Sequence, residues 1–185
     1  MKKLFFIAGV ALSLSVAAQT EKGSWMVGGN FANLNLGFAN STNTVSFSLS
    51  PNLAYFMSDN FALGGEVGLG IVKAKSEDAL FSYSVQPLAR YYFMKGEKNG
   101  IFGQATVGVQ GASQSGNSET GLTFSIGAGW NYWINKSVAL EVGARYVNTD
   151  EKIAIFPNAV NVNFGLQIFL PKKSASYVKS SYRKK

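Results

Sequence analysis

Apolar and polar residues alternate along most of this chain with a period of two, which places successive side chains on opposite faces of extended strands. The pattern is plainest from 45 to 57. Val45, Phe47, Leu49, Pro51, Leu53, Tyr55 and Met57 share one parity, and Ser46, Ser48, Ser50, Asn52 and Ala54 the other. The same alternation runs through 61–71, 81–93, 101–109, 122–132, 138–146 and 160–168. An earlier segment, about 24–38, changes parity partway: Trp25, Val27 and Phe31 are followed by Leu34, Leu36 and Phe38, which predicts a β-bulge near Ala32 and Asn33. Short connections at 58–60, 95–99 and 135–137 alternate with longer, more polar ones at 39–44, 73–80, 112–119 and 147–159. Eight strands joined in this way predict an all-β fold, an eight-stranded antiparallel up-and-down transmembrane β-barrel with both termini on the periplasmic side.

Alternation alone does not say which face meets lipid, because a soluble barrel has the same period. Side-chain size separates the two. An eight-stranded barrel has an interior just wide enough for side chains to fill. The polar parity is mainly Ser, Gly, Ala, Thr and Asn, which fit, whereas the Phe, Tyr, Trp, Leu and Ile of the other parity would overfill it. Nine aromatics beside the short turns, Tyr55, Phe56, Phe61, Tyr91, Tyr92, Phe93, Trp130, Tyr132 and Trp133, are expected to form an interfacial girdle. Pro51 and Pro87 interrupt strands that have no free edge, so bulges or lost ladder pairs are expected there. Gly28-Gly29 and Gly127-Ala128-Gly129 lie in strand surroundings, where they ease close packing rather than cradle a phosphate.

The N-terminus changes the setting. Lys2 and Lys3 precede an apolar run from 4 to 16, and Val16-Ala17-Ala18 supplies small residues at a cleavage site. This is the form of a secretory signal peptide over 1–18, with the mature chain starting near Gln19. The barrel domain then covers 19–170 and a basic periplasmic tail 171–185. The formal net charge of +7 belongs to the two ends; once Lys2, Lys3 and the tail's basic residues are set aside, the barrel is close to neutral. No basic field remains to hold nucleic acid. The tail is expected to be solvated, with contact to anionic lipid or cell-wall polymer as the alternative.

The signal peptide, the turn region Tyr55-Phe56-Met57-Ser58-Asp59-Asn60-Phe61-Ala62-Leu63-Gly64-Gly65, and the closing Val162-Asn163-Phe164-Gly165-Leu166-Gln167-Ile168-Phe169 together carry a family resemblance. From about Trp25 to Phe169 the chain resembles the small OmpA/OmpX-type outer membrane protein β-barrel domains of the porin family. The resemblance implies a place in the outer membrane of a Gram-negative cell, surrounded by its lipid. It also implies that the barrel-assembly machinery reads the last strand, with Phe169 as the terminal aromatic of that signal. Here about fifteen residues follow Phe169, whereas the family's strand often ends the chain.

Few residues are candidates for chemistry. The chain has neither Cys nor His, which excludes thiolate metal sites and the commonest general base. Catalysis by a Ser-His constellation is therefore lost, and no enzymatic activity is expected. Glu77, Asp78, Glu119, Asp150 and Glu151 are too scattered for a metal site, and no cofactor is expected. Four charges fall on the inward parity: Glu66, Arg90, Glu141 and Arg145. Glu66 and Arg90 lie on adjacent strands, and the seventh strand faces the third across the barrel. Buried charges need partners, so the four are expected to form a lumenal network that plugs the barrel. A non-enzymatic barrel with a structural, surface-recognition or adhesive role is the first expectation. The alternatives are a small porin-like channel gated by the Glu/Arg network and a soluble secreted β-barrel binding protein.

Overall fold

The computed structural model of the protein describes residues 17–36, 44–74, 79–152 and 158–172. Residues 1–16 of the signal peptide expected over 1–18, the tail from 173 and the acidic pair Glu77 and Asp78 lie outside the described residues. After a single 3₁₀ turn, Ala17–Thr20, come eight strands: β1 (Trp25–Leu36), β2 (Thr44–Ser58), β3 (Phe61–Ala74), β4 (Leu80–Lys95), β5 (Asn99–Gln114), β6 (Asn117–Trp133), β7 (Val138–Thr149) and β8 (Asn158–Leu170). Each pairs antiparallel with its chain neighbours, and β1 pairs with β8 to close the barrel. Closure is what permits such a sheet in lipid, since it leaves no unpaired edge. The strands run 12 to 17 residues, longer than the roughly 9–11 that cross a bilayer when tilted.

The alternation sets the two faces of the wall. Leu122 is 72% exposed and its neighbour Thr123 is 2% exposed. Outward lie Phe47, Leu49, Leu53, Leu69, Ile71, Phe81, Val85, Val107, Phe124, Ile126, Leu140 and Val160, an apolar band over the barrel's outside. Water would not tolerate so continuous an apolar surface; a hydrocarbon layer matches it.

The bulge in β1 falls at Phe31, where the register with β8 shifts between Asn30 and Ala32. Two further shifts, at Met57 and Phe93, sit beside short turns. At the prolines the register does not change. Ladder pairs are missing on one side only: toward β3 around Pro51, and toward β5 around Pro87. On the other side each proline faces a glycine, Gly29 for Pro51 and Gly65 for Pro87.

One connection differs from the sequence expectation. The segment 112–119 is not a longer loop: β5 and β6 stay paired out to Gln114 and Asn117. Ser115 (φ 51°) and Gly116 (φ 86°) turn the chain in two residues. Positive φ at both central positions is the tight hairpin geometry whose twist matches the strands.

The aromatic girdle also needs correction. Tyr91, Phe93, Trp130 and Tyr132 do face outward, and Trp25 joins Tyr55 there with ring centroids 5.0 Å apart. Phe56, Tyr92 and Trp133, however, are buried inside the barrel. With Met26, Leu88, Phe102 and Phe169 they fill the lumen at the short-turn end. Tyr92 sits at the centre, its ring 5.6–6.3 Å from those of Phe56, Phe102, Trp133 and Phe169. Five large rings fit because the wall beside them is thin, with Ala54, Ala62 and Ala139 buried in the same cluster. At Gly129 a Cβ would come within 2.3 Å of Phe102 Cζ.

A short N-terminal segment covers this end. Gln19 Nε2 donates to Lys136 O (2.7 Å), and Asn60 N donates to Thr20 O (2.8 Å). Thr20 Oγ1 donates to Asn60 Oδ1 and accepts from Lys95 Nζ, while Lys22 N donates to Asp59 Oδ1. One segment thus ties together the three turns at this end, 58–60, 95–99 and 135–137. Gly129→Ala is expected to overpack the plug and to destabilise the barrel by about 1–3 kcal/mol. Urea unfolding of the detergent-folded protein, followed by gel mobility, measures it; an unchanged midpoint would mean the wall yields freely.

Candidate functional site

Inward positions above the plug are polar, and the four charges lie among them. Arg90 on β4 and Glu141 on β7 meet across the lumen in a two-pronged pair, Nη1 to Oε2 at 2.6 Å and Nη2 to Oε1 at 3.0 Å. Arg90 Nε donates to Gln104 Oε1 at 2.8 Å, and the guanidinium lies 3.9 Å over the Phe102 ring. Asn131 Nδ2 donates to Glu141 Oε2, and its Oδ1 accepts from the Tyr92 hydroxyl at 2.8 Å. Both members of the pair are sealed from solvent. Their burial is tolerable because the carboxylate neutralises the guanidinium, while the Gln104 amide oxygen and the Tyr92 hydroxyl take up its other donors. Tyr92 joins the two layers, with its ring in the plug and its hydroxyl in the network.

The second pair lies nearer the long-loop end. Arg145 Nη1 on β7 donates to Glu66 Oε1 on β3 at 2.8 Å, and Arg145 keeps some contact with the lumen space. Glu66 and Arg90, on adjacent strands, do not pair; each reaches across the barrel to β7 instead. Around them run uncharged links. Thr106 Oγ1 donates to Gln86 Oε1 and lies 2.8 Å from Ser125 Oγ, and Asn163 Nδ2 donates to Asn30 Oδ1. Beyond the second pair the lumen opens into a cavity of about 200 Å³, bordered by Ser48, Ser50, Ser82, Ser84, Gln110 and Asn161 among others.

Phe169, the candidate assembly residue, is fully buried against Trp133, ring centroids 5.7 Å apart. Among the described residues no group of three or more Asp or Glu converges as a metal would need. Sequence reasoning passed over Phe102 and Met26 as lumen residues, although both have inward parity. Their parity was the available signal; nearness to the turns obscured it.

The closed eight-stranded wall agrees with comparisons to known proteins. A family model for the outer membrane protein beta-barrel domain matches residues 4–167. The chain belongs to this family. Solved structures with the same fold include Neisserial surface protein A, at TM-score 0.59 and 17% identity, covering 81% of this chain and 97% of that one. OprG of Pseudomonas aeruginosa aligns at TM-score 0.56 and 12% identity, covering 83% and 99%. The N-terminal β-barrel domain of OprF from the same organism gives 0.54 and 16%, covering 80% and 98%. At these identities the likeness concerns the fold. No match was found among curated proteins. Family and fold place the barrel in the outer membrane and set aside the soluble secreted reading.

The two ion pairs should respond unequally to truncation. Glu141→Ala strands a sealed guanidinium and is expected to cost about 3–5 kcal/mol. Glu66→Ala is expected to cost less, because Arg145 retains access to the cavity. Urea midpoints of the two variants, compared in the same micelles, check the order.

Proposed function

We propose that the protein is a non-enzymatic integral outer-membrane barrel that does not conduct, with a surface-recognition or adhesive role carried by its long-loop end. The observation behind this reading is the filled lumen. Five aromatic rings close the short-turn end, the sealed Arg90–Glu141 pair lies directly on them, and residues 19–23 bind across the three turns of that end. Opening a path would need more than breaking an ion pair. The rings beneath would have to leave an interior that has nowhere to put them. This weighs against a Glu/Arg gate.

In the same reading the short-turn end and both termini face the periplasm and the longer connections face outward. The burial of Gln19 and Thr20 against the turns supports a mature chain that begins near Gln19 after removal of a signal peptide over 1–18. Phe169 serves as the assembly machinery's terminal aromatic before closure, since the finished barrel hides it. The basic segment 171–185 would lie on the periplasmic side in this reading. The absence of His leaves the lumen without the usual proton acceptor of lipid-hydrolysing barrels.

Planar-bilayer recordings of the refolded full-length protein test the central point. No discrete openings are expected, either for the unaltered protein or after Arg145→Ala. Regular single-channel steps would overturn the closed-barrel reading.

A further inference from the structure

The two ends of the barrel differ in charge as well as in the length of their connections. At the short-turn end Lys22, Lys95, Lys98, Lys136 and Lys172 are exposed, against the carboxylates Glu21, Asp59 and Glu97. After Lys172 the sequence adds Lys173, Lys179, Arg183, Lys184 and Lys185 and no acidic residue. At the long-loop end Glu119, Asp150 and Glu151 outnumber Lys152. The connection 73–80 brings two lysines and two carboxylates there, which leaves the sign unchanged. The lumenal charges cancel in pairs. Positive charge is thus gathered at one end of the molecule.

The placement of the rim lysines fits a lipid surface. The outer face ends at this rim in exposed apolar side chains: Met94 on β4, Ile134 just after β6 and Leu170 on β8. A lysine follows each within two residues, Lys95, Lys136 and Lys172. Leu170 pairs in register with Trp25, and Met94 with Ile101, which pairs in turn with Trp130. These strands therefore leave the hydrocarbon at the aromatic ring that marks its boundary. One or two residues at about 3.3 Å each carry a lysine about 3–7 Å farther. The headgroup layer on each side is roughly 5–7 Å deep, so the ammonium groups fall within it. The Lys172 stem is already seated, since a Cβ on Gly23 would lie 2.9 Å from its Cδ. Lys95 spends one N–H on Thr20 Oγ1 (2.7 Å), which fixes it beside the N-terminal segment.

The geometry also favours one anionic partner. A soluble polymer would have to be recruited to the rim and ordered against it. Headgroup phosphates are held beside the rim by the barrel's own insertion, so their effective concentration is already high. We propose that the short-turn rim is a docking surface for anionic phospholipid headgroups, with Lys95, Lys136 and Lys172 as its phosphate contacts and the basic residues after Lys172 as its continuation. The inference goes beyond the recognition role proposed for the long-loop end. It names an end of the barrel rather than a side of the membrane, so it does not depend on the orientation given above.

The test uses the refolded full-length protein in nanodiscs of phosphatidylcholine, with and without phosphatidylglycerol. Spin-labelled phosphatidylglycerol is expected to be retained at the barrel about fivefold over spin-labelled phosphatidylcholine. The preference should fall toward one in about 1 M salt, where the screening length shrinks to about 3 Å. In ¹⁵N-labelled protein, adding phosphatidylglycerol should shift amides near Lys95, Lys136 and Lys172 and leave those of Glu119 and Asp150 in place. The triple variant Lys95→Gln, Lys136→Gln, Lys172→Gln should bring the preference near one, and Lys152→Gln at the other end should not change it. Heat-modifiable gel mobility establishes folding; if the triple variant does not fold, Lys172→Gln alone should lower the preference. Equal retention of the two lipids, a preference indifferent to salt, shifts gathered at the long-loop end, or an undiminished preference in the folded lysine variants would each overturn the surface. So would a soluble anionic polysaccharide that binds at these amides and is not displaced by phosphatidylglycerol.

Discussion

A guanidinium enclosed in a membrane-spanning wall must be neutralised and must have its N–H groups answered, and Arg90 shows how much of the barrel that requirement recruits. Its counter-charge comes from Glu141 on β7, an acceptor from Gln104 on β5 and a ring face from Phe102. Tyr92, two residues along the same strand, passes the connection through Asn131 back to Glu141. In water such a pair would be worth little. Between lipid-clad walls neither partner has solvent to fall back on, so the arrangement acts as a cross-brace among strands that the backbone ladder does not join directly.

The brace and the plug depend on each other. Apolar packing below removes water from Arg90, which raises the need for its partner. The network above fixes Tyr92, whose ring is the hub of the aromatic cluster. Thin wall positions such as Gly129 and Ala139 make the room. Size alone had argued that large rings belong outside an eight-stranded barrel. The barrel instead trades wall volume for lumen volume at one end and keeps small polar side chains in the other.

Much of the fold was legible because a period of two is a direct imprint of the pleat. Strand number, the change of parity in β1 and the inward set Glu66, Arg90, Glu141 and Arg145 all follow from parity. Parity gives the face but not the height. Which charges meet depends on the stagger of strands around the closed wall, so the partnership of Glu66 with Arg145 could not be read from their spacing. Local chemistry misled in two places. The polar run around Ser115-Gly116 resembles a loop, yet two positive-φ positions suffice for a tight turn. Consecutive aromatics such as Tyr91, Tyr92 and Phe93 resemble a belt, yet the middle one must point the opposite way from its neighbours.

Met26 and Phe169 face each other across the junction of the first and last strands, directly paired in register. Both belong to the buried cluster. The seam of the barrel is therefore also a seam of its core. A sheet of seven strands would have two open edges and an unfinished interior at once, and the eighth strand mends both defects in a single act. Folding intermediates with a paired wall and an empty middle, or a packed middle and a gaping wall, have little to hold them together. Insertion should accordingly be an all-or-none event in which the final zipping of the chain is also the setting of its keystone.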